Sequence, residues 1–204
     1  MSCTVTVQQS LPPTEPQPCK SQRLPGVDGF WAFIGFDCVI FAVLFFSFLQ
    51  ARHGDPALFE ASRRTLDSNL AGLNTIILLT SSWMVALAVQ AVKRDELDRV
   101  PRFVFGGVSA GLLFVLFKSV EYGHELAAGI TPATNAFSMW YFTLTGIHVA
   151  HLLVGTSLLA YVGTKSRQRA YHSRHRAVLE SVATFWHLVD VLWIVLFPLL
   201  YLQR

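Results

Sequence analysis

Apolar residues gather in five long runs, at about 28–50, 66–92, 102–127, 135–163 and 177–203, with short polar stretches between them. A helix needs roughly 20 predominantly apolar residues to cross the hydrocarbon of a bilayer, so each run is long enough to span it. The intervening stretches are too short to fold as domains. The pattern therefore predicts an all-α fold, a polytopic membrane bundle of five transmembrane helices occupying 28–204. Boundary residues agree: Asp28 is placed to cap the first helix, Pro101 to sit in the first turn of the third, and Thr134 or Asn135 to cap the fourth. Pro198 is the one clear breaker inside a span and predicts a bent last turn in the fifth helix.

Residues 1–27 stand outside this pattern. They are polar and rich in proline and glutamine, the composition of a flexible tail. They hold neither a short apolar core nor a small-residue cleavage site, so the first helix is expected to be retained.

Composition and charge sharpen the picture. Hydrophobic residues make up 52% of the chain and charged residues only 14%, against about 25% charged in an ordinary soluble domain. The tail and the 93–102 and 164–176 loops carry eleven of the sixteen lysines and arginines, the opposite loops and the C-terminus four, and Lys118 lies inside a span. The positive-inside rule then places the N-terminus in the cytoplasm and the C-terminus outside. Nothing in this distribution resembles a nucleic-acid patch. Cys3, Cys19 and Cys38 show no paired spacing, which argues against a zinc motif, a disulfide frame or a thiolate-held metal centre.

The candidate chemistry lies in polar residues within the runs. At about 1.5 Å of rise per residue, Asp37 lies roughly 13 Å in from the cytoplasmic face, and His187 and Asp190 roughly 15 and 20 Å. His148 and His151 enter from the other face and reach the middle. These depths allow all five to meet in one layer. On the third helix Gly107, Gly111, Phe114, Lys118, Glu121 and Glu125 follow a 4-3-4-3-4 spacing, a single stripe facing protein. Its glycines admit a neighbouring backbone at close range. Tyr141, Thr145, His148, His151 and Gly155 share one broad face of the fourth helix, and Asn74 and Ser81 lie seven apart on the second.

An ionisable side chain at the bilayer centre costs roughly 2.5–3.5 kcal/mol on insertion scales, so each needs a reason. One reading is structural: His187 and Asp190 bond to the first and fourth helices, with Trp186 and Trp193 packing beside them, and Lys118 pairs with Glu121 or snorkels outward. His124 and Glu125, one turn further out, are expected to be wetted. A second reading is a self-sufficient redox protein with haem or metal held by His148, His151 and His187. A third is a proton path through Asp37, the histidines and Glu121, although no residue bridges the cluster to both faces. A small transporter would show internal repeats and interrupted helices, and no repeat is present.

The last helix, TFWHLVDVLWIVLFPLLYL, resembles the final helix of subunit III of the haem-copper oxidases, marked by aromatic-His-x-Val-Asp-x-x-Trp. GFWAFIGFDCVIFAVLFFSFL is similar to the family's helix with an intramembrane carboxylate, LNTIILLTSSWMVALA to its next helix, FKSVEYGHEL to its Glu-Tyr motif, and TGIHVAHLLVGTSLL to its Gly-x-His-Val-x-His segment. The resemblance covers all five runs. It departs in two ways: longer members have seven helices, and most carry Glu where this chain has Asp37. Together with the LPG opening and the AAGITPATNAF loop, Asp37 makes this five-helix form resemble the branch of subunit III-like proteins found beside bacterial nitric oxide reductases.

The resemblance implies a non-catalytic subunit in a bacterial cytoplasmic (inner) membrane, with no catalytic residue, metal or cofactor of its own. Haem, with or without copper, belongs to the partner catalytic subunit, and structural phospholipid is an allowed companion. It also implies support of assembly, stability and proton uptake. An intramembrane polar layer of Asp37, Glu121, His148, His151, His187 and Asp190 then carries over from the family's motifs, with Gly107, Gly111, Gly155, Trp186 and Trp193 as packing residues.

Overall fold

A computed structural model describes residues 28–167 and 173–202. The 1–27 tail, the middle of the last basic loop and the side chain of Asp28 lie outside the described residues. Six helices follow in order: α1 (Asp28–Gly54), α2 (Pro56–Arg63), α3 (Ser68–Lys93), α4 (Val100–Ala127), α5 (Ala136–Arg167) and α6 (Ser173–Phe197). A π-helical turn, Pro198–Leu202, closes the described chain. Five of the helices are long and apolar enough to cross a membrane, as the five runs predict.

Caps set where the helices begin. Asp67 accepts from the amides of Asn69 and Leu70 at 2.9 and 3.2 Å, and so starts α3. Pro101 occupies the first turn of α4. Of the two candidates for α5, Asn135 is the cap, accepting from the Ser138 amide at 2.7 Å. Just past the end of α4, Gly129 takes a φ of 79° that suits a residue without Cβ, and the Ile130 amide bonds back to the Glu125 carbonyl at 2.9 Å. Pro198 cannot donate an amide, and the chain widens there into the π turn rather than merely bending.

The helices α3, α4, α5 and α6 close a ring, each packed on its two neighbours. α1 leans on the outside of that ring against α5 and α6. It buries only one narrow row, Asp37, Phe41 and Phe48, while Phe36, Val43 and Phe46 are each more than half exposed. In a bilayer such side chains need no burial in protein, because lipid is as apolar as they are.

Helix α2 was not apparent in the sequence, where 51–65 reads as a loop. Asp55 caps it by accepting from the Leu58 amide at 3.1 Å, Pro56 opens it, and Phe59 fills a slot between Phe48 and Phe137. Glu60 makes a forked bond to Arg63, whose third contact donates to the Tyr201 carbonyl at 2.9 Å. The hydrogen bonds from Arg63 and Arg64 hold the Glu60 carboxyl down at about 2. Because the folded value lies below the ordinary 4.5, this pairing stabilises α2 above about pH 4.5 and is lost as pH falls through about 2. A spin label at Ala61 is expected to gain mobility over that window, and constant mobility down to pH 2 would refute it.

Candidate functional site

The two ends of the ring are the α2 end and the basic end, where α3 stops at Lys93 and α4 begins. Beneath the α2 end, Lys118 is 1% and Glu121 3% exposed. The Lys118 ammonium spends all three protons: on Glu121 Oε1 at 3.0 Å, the Tyr141 hydroxyl at 3.2 Å and the Tyr201 hydroxyl at 2.7 Å. Both tyrosines donate in turn to Glu121 Oε1, at 2.6 and 2.5 Å. The rings of Tyr141, Tyr201, Tyr122 and Trp193 lie 4.9 to 5.5 Å from the ammonium and complete an aromatic cage. Lys118 therefore does not snorkel. Glu125, expected to be wetted, is instead buried beside a small cleft of about 90 Å³ that also touches Tyr141, Asn135 and Ser138. His124 is exposed.

One layer deeper, Phe114 meets His148 and Trp193 edge to face, His148 and Trp193 lie tilted against each other, and the ring centroids are 4.8 to 5.7 Å apart. All three are fully buried. The Trp193 indole donates to Thr75 Oγ1 at 3.0 Å, whereas neither nitrogen of His148 has a partner in the protein.

The next layer explains the glycines. Trp186 is wholly buried between α4 and α5. A Cβ at Gly111 would lie 2.7 Å from Trp186 Cη2, and one at Gly155 would lie 3.0 Å from its Cε3. The indole thus occupies space that only two glycines leave free. Gly107 does the same for α3: a Cβ there would stand 2.9 Å from Val85 Cγ2, and Ser81 Oγ donates to the Gly107 carbonyl at 3.0 Å.

His187 bonds through Nδ1 to Ser82 Oγ of α3 at 2.6 Å. This corrects the expectation that it reaches the first and fourth helices. Phe185, two residues away, faces His151 at 6.4 Å, and two residues turn a helix by about 200°. His187 therefore points the other way. Asp190 is buried, and neither of its carboxyl oxygens has a hydrogen-bond partner in the protein. Below His187 a cleft of about 370 Å³ runs between α3 and α6 past Gln90 and Thr184 to Lys93 and Glu180, whose charges stand 3.8 Å apart.

Asp37 and His151 form a separate pair outside the ring. His151 Nε2 lies 2.9 Å from Asp37 Oδ1, and its Nδ1–H donates to the Ile147 carbonyl at 2.8 Å. His151→Leu would leave a buried carboxylate with no partner on either oxygen, so a loss of about 1–3 kcal/mol is expected. Asp37→Leu with His151→Leu should recover most of it. Thermal unfolding in detergent decides, and equal losses in the single and double variants would refute the pair as α1's tether.

The expected single layer is thus divided: Glu121 pairs with Lys118, Asp37 with His151, His148 lies between Phe114 and Trp193, His187 bonds to Ser82, and Asp190 is buried without a direct partner. Similar depth is not proximity, because helix rotation assigns each residue its neighbour. The three histidines named as candidate ligands look in different directions, and among the described residues no three His, Cys, Asp or Glu converge as metal ligands. Sequence reasoning missed Ser82, Thr75 and Tyr201. Tyr201 lies eight residues beyond Trp193, about 80° out of phase on a regular α-helix, and it is the π turn after Pro198 that brings it round to the cage.

A family model described as cytochrome c oxidase subunit III matches residues 26–203. The chain is 34% identical over 172 residues to cytochrome c oxidase subunit 3 of Synechocystis sp., covering 83% of this chain and 72% of that protein. It is 29% identical over 176 residues to cytochrome c oxidase subunit 3 of Alkalihalophilus pseudofirmus, covering 86% and 85%. It is also 26% identical over 174 residues to a probable quinol oxidase subunit 3 of Staphylococcus haemolyticus, covering 85% and 87%.

Proposed function

We propose, from the premise that the chain belongs to the cytochrome c oxidase subunit III family, that it is a non-catalytic membrane subunit of a respiratory haem-copper oxidase-type complex. The observation that carries this is the match itself, which runs through every span. The arrangement of the core supports it: Lys118 and Glu121 are spent on each other and on tyrosines, and Asp37 on His151. Such groups fix helices against one another.

In this reading the chain docks on the catalytic subunit that holds haem and, in oxidases, copper. It supports the assembly, lifetime and proton uptake of the complex. It lies in a bacterial cytoplasmic membrane with its N-terminus inside, an orientation favoured by the lysines and arginines at the basic end. The exposed apolar faces of α1, α3 and α4 meet phospholipid or the partner. The nitric oxide reductase branch is the narrower version of the same reading, supported by Asp37, the LPG opening and the AAGITPATNAF loop.

Extraction of the tagged chain from its native membrane in mild detergent tests the proposal. A haem-containing catalytic subunit is expected to co-purify, and its haem types assign oxygen or nitric oxide as the acceptor. A chain that emerges alone, or that carries stoichiometric haem by itself, would overturn it.

A further inference from the structure

The α4 helix finishes on two acids, Glu121 and Glu125, one turn apart and both buried. Only 8% of Glu125 is exposed. Like charges at this spacing repel, and the carbonyl end of a helix carries partial negative charge, which favours a cation there. Lys118 does not answer Glu125, because its three protons go to Glu121 Oε1, Tyr141 and Tyr201. His124, the basic residue of that last turn, is exposed. Among the described residues the Glu125 carboxylate makes no hydrogen bond and no ion pair. One ammonium and two carboxylates leave this end of α4 with one net negative charge, and Glu121 Oε2 is also buried without a partner.

Glu125 lines the cleft of about 90 Å³ where the chain after α2, the end of α4 and the start of α5 meet. Ser62, Thr65, Asn135 and Ser138 line it too, each with a side-chain oxygen, and no other lining residue is charged. The Thr65 hydroxyl donates its proton to the Ser62 carbonyl at 2.8 Å, so what it has left is lone pairs. Asn135 donates its amide protons to Ser62 Oγ at 3.2 Å, and its oxygen keeps a lone pair beyond the one taken by the Ser138 amide. The cleft is thus one unanswered carboxylate among neutral acceptors, with room for an ion that keeps part of its water.

We propose that this cleft binds a small alkali cation of the sodium type, with Glu125 as the charged ligand and the oxygens of Thr65, Asn135, Ser138 and water around it. A single positive charge neutralises the local excess. Calcium takes six to eight oxygens, commonly from several carboxylates, and magnesium demands a near-ideal octahedron, whereas this cleft offers one carboxylate. Nor do three His, Cys, Asp or Glu converge among the described residues to hold a softer metal. The bound cation would fasten the chain after α2 and the start of α5 to the end of α4, beside the Lys118 cage and apart from it.

The inference does not depend on which complex the chain joins. The full chain in detergent micelles is melted in sodium chloride and in choline chloride at equal ionic strength, choline being too large for the cleft. At about ten times its half-effect concentration, sodium should raise the midpoint by about 3–6 °C over choline. Glu125→Gln should melt alike in the two salts, and in choline no lower than wild type, since it removes the unanswered charge. Ser138→Ala keeps the carboxylate and should shift the half-effect sodium concentration several-fold upward, which serves if Glu125→Gln does not fold. Equal wild-type midpoints in the two salts would mean that Glu125 holds a proton or water alone, and would overturn the proposal. So would a sodium shift that survives in Glu125→Gln, a half-effect concentration unchanged in Ser138→Ala, or a rise produced by calcium far below the sodium concentration needed.

Discussion

Lys118→Met should destabilise the folded chain by about 3 kcal/mol or more, the cost of removing one partner of a buried ion pair. Glu121 would then keep only its two tyrosine donors on Oε1, with Oε2 still unpartnered. Glu121→Gln should cost a comparable amount, because it leaves an ammonium facing neutral oxygens. The double variant Lys118→Met with Glu121→Gln should be far milder, since a neutral pair in the same space loses attraction and desolvation cost together. Thermal or denaturant unfolding in micelles measures all three. If each single change costs under about 0.5 kcal/mol, the pair behaves like an exposed surface bridge and the buried cage is refuted.

The second large effect concerns Trp186. Trp186→Ala should cost about 3–5 kcal/mol, as expected for emptying a fully buried aromatic site. The loss is mostly packing, because lipid offers apolar surface as readily as protein does. Gly111→Ala should cost about 1–3 kcal/mol by pressing a methyl group into the indole. Trp186→Phe combined with Gly111→Ala is the informative variant, since a smaller ring leaves room for the new Cβ. Its loss should fall short of the sum of the single losses by more than the roughly 0.3–0.5 kcal/mol scatter of independent sites. Strict additivity would mean that the indole does not occupy the space the glycines leave.

The spans were legible because length and apolarity suffice to define them, and the α4 stripe because positions three and four apart share a helix face. Gly107 and Gly111 were legible for the same reason. Partners across helices were not. His187 and Asp37 have similar depths, but rotation about each helix axis, fixed by how neighbours pack, sends His187 to α3 and Asp37 to α5. Tyr201 joined the cage only once the π turn at Pro198 was known. The α2 helix escaped notice because eight residues with one buried aromatic give too little periodicity to stand out from a loop.

The attachment of α1 to the outside of the ring has a consequence for biogenesis. Its carboxylate waits for a histidine 114 residues later in the chain. At about 5–20 residues per second of translation, that delay is on the order of ten seconds. During it α1 lacks its neighbours in the ring, and Asp37 is without the imidazole that later meets it. Helix α1 is therefore inserted well before the contact that fastens it to the ring exists.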